Sequence, residues 1–294
     1  IILCFVRNDG NPRLSMIATV CGSLFNVVFD YIFIFPCNMG MLGAVLATGF
    51  SPVVGLTIMS PHWLGKKRGF HFRKLVPDAD SIRTNISLGF PSLLSQISAA
   101  IVMIVFNMLI LGLEGNTGVA AYGVIANISL VVLSFYTGIA QGIQPLVSHS
   151  YGRKKTDGIR QFLRYAMISM VILSAVMYLI LFVFADPIAS AFNSEHNAKL
   201  QEIAITGLKL YFTSLVFAGF NIILSMYFTS VEKALPAQII SLLRGLILII
   251  PIAFLFANLW DMTGVWMSFP ATELVTALVG AVLYFIYKNR LYSK

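Results

Sequence analysis

The sequence predicts an all-α integral membrane protein, a helical bundle containing a parallel internal repeat. Three observations predict it. Of 294 residues, 58% are hydrophobic and only 11% charged, whereas a soluble domain carries roughly 25% charged residues, so this chain cannot cover a water-facing surface. Apolar stretches long enough to cross about 30 Å of hydrocarbon, roughly 20 residues each, recur along it. Its basic residues gather in every second joint between those stretches.

The chain opens with IILCFV, too short to span a membrane, followed by the polar RNDGNPR. A signal peptide needs a basic segment before its apolar core and a small-residue cleavage site after it, and neither is present. The run is expected to be the tail of a transmembrane helix in a fragment that lacks its beginning. Eight full spans follow, at about 14–36, 41–61, 85–113, 118–148, 163–185, 204–230, 236–259 and 264–287. The length of 118–148 implies tilt, a break or an extension into water.

Charge then orients the spans. One set of joints holds Arg7 and Arg13, then Lys66 to Arg83, Arg153 to Arg164, Lys233, and Lys288 to Lys294, which together carry 17 of the 20 basic residues. The other set holds only Lys199, beside Glu114, Asp186, Glu195, Glu202 and Asp261. Basic loops stay in the cytoplasm, so the net charge of +8 is a topology signal that places the C-terminus inside, and nucleic acid is not a partner. The basic loop at 62–83, with His62, Trp63 and His71, is expected to be an interfacial connector. The four His are expected in loops. Cys4, Cys21 and Cys37 fit no disulfide or metal spacing and are expected to be packing residues in a reduced setting.

The first hairpin resembles the last. Pro12, Gly22 and Gly43 recur as Pro236, Gly245 and Gly264, displaced by 224, 223 and 221 residues. Both hairpins begin in the cytoplasm, which makes the repeat parallel, an arrangement found among secondary transporters. If the repeat is complete, four helices precede residue 14 and the intact protein has twelve.

An ionisable group in the bilayer costs at least about 2.5–3.5 kcal/mol and needs a reason. Lys209 is expected to snorkel to the outer surface. Arg244 and Glu273, on successive spans, either pair or line a cavity. Asn26 and Asp30 are four apart and share a helix face. At 1.5 Å per residue, counting from the outer ends of the spans puts Asp30 and Thr48 at one depth. A carboxylate, a carboxamide and a hydroxyl can bind a hard cation such as Na⁺ through oxygen, hold an exchangeable proton, or simply hydrogen-bond two helices. The repeat positions are about Ile249, Ala253 and Phe269, so the scaffold does not require these polar groups. No H-E-x-x-H, paired catalytic carboxylates or Gly-rich phosphate loop occurs in or beside the spans, and an enzyme is not expected.

At these residues the sequence resembles the multidrug and toxic compound extrusion (MATE) transporters. RNDGNPRLSMIATVCGSLFNVVFDYIFIF with GMLGAVLAT is similar to the family's fifth and sixth helices, and GFPSLLSQ to the start of its seventh. GVAAYGVIANISLVVLSFYTGIAQGIQPLVSHSYGRKK is similar to the eighth helix and following loop, and Leu235 to Arg244 with GVWMSFPATELV to the eleventh and twelfth. The resemblance implies two six-helix lobes when complete, with residues 1–64 ending the first lobe, 65–84 joining the lobes and 85–294 forming the second. It implies a multidrug antiporter coupled to Na⁺ or H⁺ that works by alternating access as a monomer in the plasma membrane, here a bacterial inner membrane. The coupling ion is expected at Asn26, Asp30 and Thr48, and no other cofactor is expected. The first-helix Asp that some members add is not in this chain, and the fragment alone is not expected to transport.

Other members place carboxylates on the seventh and tenth helices, where this chain has Gln96 and Asn221, which leaves a second-lobe cation site in doubt. Gln96 and Asn107 are eleven apart on one face. With Tyr136, Gln141, Gln144 and Asn221 they are candidates to line a cavity for small amphipathic, cationic organic substrates. Each could equally serve interhelical hydrogen bonding. The competing reading is a lipid-linked sugar flippase or polysaccharide exporter of the same wider superfamily. That function needs a basic cavity, and within the spans only Lys209 and Arg244 could supply one.

Overall fold

The computed structural model describes residues 2–65, 78–194 and 196–292. Contacts divide the chain into two units, Ile1–Val76 and Pro77–Lys294, and the boundary falls in a stretch outside the described residues. Lys66, Lys67, Arg68, His71, Arg73 and Lys74 of the predicted connector lie in that stretch. The side chains of Trp63 and Arg290, and the residues Glu195 and Lys294, are also outside what the structure describes.

Unit 1 comprises α1 (Ile2–Asn8), α2 (Pro12–Ile34) and α3 (Gly40–Leu64). The α2 helix starts at Pro12 because Asn11 caps it, its side chain accepting the Leu14 N–H at 3.3 Å, and because proline at the first turn costs no hydrogen bond. Lipid tails are as apolar as leucine, so helices in a bilayer associate through close packing of small residues. On α2 and α3 those residues are Ala18 and Gly22 against Gly55 and Ser51. The Ser51 hydroxyl donates to the Gly22 carbonyl at 2.8 Å. A Cβ added at Gly22 would meet the Ser51 carbonyl at 3.2 Å, and one at Gly55 the Ala18 carbonyl at 3.5 Å. The pairs run in opposite order along the two helices, which are therefore antiparallel.

Unit 2 contains α4 (Ala79–Gly152), α5 (Thr156–Val183), α6 (Ala185–Phe192), α7 (Ala198–Tyr211), α8 (Leu215–Ser230), α9 (Ala234–Leu242) and α10 (Ile249–Tyr292). At 74 residues, α4 is too long for one crossing. Gly115 breaks it with φ +64 and ψ −155, a conformation glycine adopts without steric cost. Trp260 and Asp261 break α10 in the same way, Asp261 at φ +49. A single 3₁₀ turn, Phe212–Ser214, joins α7 to α8. Five residues in π-helical conformation, Leu243–Ile247, join α9 to α10, with the Leu248 N–H donating to the Leu243 carbonyl five residues back.

Among the described residues six helical stretches are long and apolar enough to cross a membrane. Two of them contain the breaks at 115 and 260–261, so the crossings number eight, at the predicted places. The short α6 lies where a loop was expected. His62 and His149 lie inside α3 and α4 rather than in loops. All three cysteines are free, and Cys4 and Cys37 are exposed rather than packed. The core of unit 2 is aromatic and aliphatic, centred on Trp266, Tyr136, Phe106 and Met170. Large exposed apolar side chains such as Val27, Met108, Ile172 and Leu278 suit contact with lipid, since apolar surface of this extent is rare on soluble monomers.

The internal repeat has a structural counterpart. At the tip of the first hairpin a Cβ on Gly43 would fall 2.7 Å from the Phe33 Cβ, and at the tip of the last a Cβ on Gly264 would run into the Phe256 carbonyl. Phe33 and Phe256 are themselves equivalent in the repeat. Gly43→Ala and Gly264→Ala should each cost about 1–3 kcal/mol through overpacking, read as a lower unfolding temperature of the purified protein. Gly49→Ala, which meets open space, should not lower it.

Candidate functional site

Three predicted residues of unit 1 come together in part. The Asn26 side chain donates to the Thr48 hydroxyl at 3.3 Å, which joins α2 to α3 and leaves the Asn26 carboxamide oxygen free to accept. Asp30 is half-buried, and its Oδ1 is fully buried with no hydrogen-bond partner. An ionised carboxylate in that position is costly unless paired, so a cation or a proton at Asp30 would relieve it. Together the site can offer a carboxylate, a carboxamide oxygen and a hydroxyl oxygen, a donor set that suits a hard cation.

The predicted depth needs correction. Thr48 sits opposite Asn26, about one turn or 6 Å deeper than Asp30. The reason is the tip: α2 ends at Ile34 and α3 starts at Gly40, so Asp30 is four residues from the end of α2 and Thr48 eight from the start of α3, where the span estimate had six and seven. Asp30 therefore lies one turn nearer the α2–α3 tip than the Asn26–Thr48 pair.

Unit 2 has a different polar centre. The Arg244 guanidinium donates to Glu273 Oε1 from Nη2 at 2.6 Å and from Nε at 3.1 Å. Asn221 donates to Glu273 Oε2 at 2.7 Å and to the Glu273 carbonyl at 2.9 Å. Glu273 and Asn221 are 1% and 0% exposed. Of the two readings left open for Arg244 and Glu273, the structure shows the pair. Asn221 thus joins an ion pair rather than lining a cavity, a link between residues 52 apart that no spacing rule exposes.

Tyr136, also expected at a cavity, is fully buried and shares a 2.8 Å hydrogen bond with Ser174; its hydroxyl is occupied by a neighbouring helix. Gln96 and Gln141 are exposed, while Asn107 and Gln144 are half-buried. The Lys209 ammonium lies 5.1 Å from the centre of the Phe182 ring, a cation–π contact beside the last turn of α5, with Lys209 eleven residues past the start of α7 at Ala198. Lys199, the one basic residue of the second set of joints, pairs with Glu114 at 2.7 Å. Sequence reasoning missed a contact at the end of unit 1 away from the α2–α3 tip, where His62 meets Asp9 at 2.9 Å. Asp9 and His62 are 53 residues apart, and only the fold of α2 against α3 brings them together.

Comparisons with known proteins agree with this architecture. The MatE family model matches residues 91–255. The chain is 25% identical over 289 residues to the multidrug export protein MepA of Staphylococcus saprophyticus, and 24% identical to that of Staphylococcus haemolyticus. Each match covers 98% of this chain and 63% of the relative, so the chain spans under two thirds of the length of these proteins. The fold is shared with a multidrug resistance MATE family transporter of the MOP superfamily in an outward-facing conformation, at a TM-score of 0.90 and 24% identity over 98% of this chain and 65% of that one. A MOP superfamily transporter from Pyrococcus furiosus superposes at a TM-score of 0.88 and 25% identity, covering 97% of this chain and 65% of its own.

Proposed function

The chain belongs to the MatE family, and on that premise we propose that it acts as a multidrug efflux antiporter coupled to Na⁺ or H⁺. It moves small amphipathic organic substrates bearing a positive charge, without converting them, by alternating access. It does so as a monomer in the plasma membrane with its C-terminus in the cytoplasm. The carrying observation is the buried, unpartnered Asp30 Oδ1 beside the Asn26–Thr48 pair. An ion that neutralises Asp30 in one access state more favourably than in the other shifts the equilibrium between them by that difference in affinity. Relatives of this chain are multidrug export proteins, which supports the drug side of the exchange. The sugar-flippase reading gains no support here, because Lys209 is engaged by Phe182 and Glu273 neutralises Arg244, leaving a single guanidinium edge where a pyrophosphate needs several positive charges.

The test is drug efflux from cells or proteoliposomes carrying the full-length protein, with Na⁺ and pH gradients imposed separately. Outward drug movement should follow one of the two gradients. Efflux that ignores both would overturn the coupled reading.

A further inference from the structure

We propose that Arg244 receives the acidic group of zwitterionic amphipathic substrates at mid-membrane in unit 2. The proposal rests on the efflux reading for the word substrate and on the ion pair for everything else. The pair is asymmetric: the Glu273 side chain is 1% exposed and that of Arg244 18%. Both carboxylate oxygens are also engaged, since Oε1 takes both arginine contacts and Oε2 takes Asn221. Arg244 Nη1, with two N–H groups, has no partner among the described residues. The face shown to an approaching molecule is therefore a guanidinium edge, and the negative charge lies behind it.

Nothing in the scaffold asks for this arrangement. The repeat positions of Arg244 and Glu273 in the first hairpin are Cys21 and Pro52, and α2 runs from Pro12 to Ile34 without a π-helical turn. Such turns occur frequently at functional sites. Among the described residues of unit 2, two buried polar side-chain atoms lack hydrogen-bond partners, Ser98 Oγ and Asn221 Oδ1, and both flank the pair. Ser98 is seated against Gly245, and Asn221 is bound to Glu273. Counting from Ala234, Arg244 lies about 15 Å into the bilayer, the depth at which secondary transporters bind substrate.

The chemistry narrows the ligand. A guanidinium edge suits a carboxylate held by paired N–H groups. The Arg244–Glu273 pair is neutral as a whole, so a simple anion would carry an uncompensated charge into the membrane, whereas a zwitterion would not. One arginine already shared with Glu273 suits a single monovalent acid rather than a pyrophosphate.

The probes are rhodamine B, whose free carboxylate makes it a zwitterion, and its ethyl ester, a cation of nearly the same shape. Binding is measured by fluorescence polarisation on the purified full-length protein, with no gradient present. The wild type should bind the acid about tenfold more tightly than the ester, the worth of a charge-assisted hydrogen bond. Arg244→Gln combined with Glu273→Gln keeps the pair neutral and should abolish the preference, while Arg244→Lys should keep part of it. A wild type that binds the ester as tightly as the acid, or that binds neither, overturns the proposal; so does a folded double variant that keeps the preference. Should the double variant not fold, the wild-type ratio and Arg244→Lys decide the matter. Failure of gradient-driven efflux would strike the antiport reading and leave this ratio standing.

Discussion

Asp30→Asn in the full-length protein abolishes drug efflux, lowering it to the level of cells without the transporter while abundance in the membrane stays unchanged. The substitution keeps the shape of the side chain and removes only the ability to carry charge and exchange a proton. The repeat shows that the hairpin tolerates such a loss, since the equivalent of Asp30 is Ala253, fully buried in the core of unit 2. Neutralising Asp30 also removes the charge from a carboxylate with an unpaired buried oxygen, so stability should hold or rise. Coupling should not, because an ion with no charged partner has little reason to prefer one access state. Moving a two-state equilibrium from 1:99 to 99:1 takes a difference of about 5.5 kcal/mol, which a hydroxyl and a carboxamide cannot supply without the carboxylate. Accumulation of a fluorescent drug, with immunoblotting for abundance, reads both halves. Full resistance with Asn at this position would remove Asp30 from the coupling role.

Much of this was legible in the sequence because membrane proteins expose their constraints in one dimension. Span length follows from bilayer thickness, and the sorting of basic residues follows from topology, so eight crossings and their order needed no coordinates. The Asn26–Thr48 contact was legible too, because a short tip forces neighbouring antiparallel helices to meet. Its register was less so: α2 ends two residues and α3 starts one residue earlier than the spans suggest, and together these shifts displace Thr48 by nearly a turn relative to Asp30. The Arg244–Glu273 pair could be suspected from two charges on successive spans, but Asn221 could not be added to it. That bond depends on how α8 lies against α10, and on a π-helical turn at Leu243–Ile247 for which composition carries no signal. Tyr136 was misplaced for a related reason, since a tyrosine that lines a cavity and one that bonds Ser174 look identical in a single strand of sequence.

Glu273→Ala should destabilise unit 2 by about 3–5 kcal/mol, the cost of leaving one member of a buried ion pair uncompensated. Interhelical hydrogen bonds between membrane helices average only about 0.6 kcal/mol, so a loss of this size would be set by the stranded charge and not by the lost contacts. Three donors lose their acceptor at once, namely Arg244 Nε and Nη2 and one N–H of Asn221. Asn221 keeps its bond to the backbone carbonyl of residue 273, which the substitution does not touch. Arg244→Leu combined with Glu273→Leu tests the cause directly. With both charges gone no uncompensated ion remains, and replacing a buried pair by apolar residues of similar volume is often neutral or stabilising. The double variant should therefore unfold within about 1 kcal/mol of the wild type, far above the single variant, in denaturant titrations of the purified protein. Additive losses in the double variant would show that packing around α8 and α10, and not the pairing of charge, sets the cost.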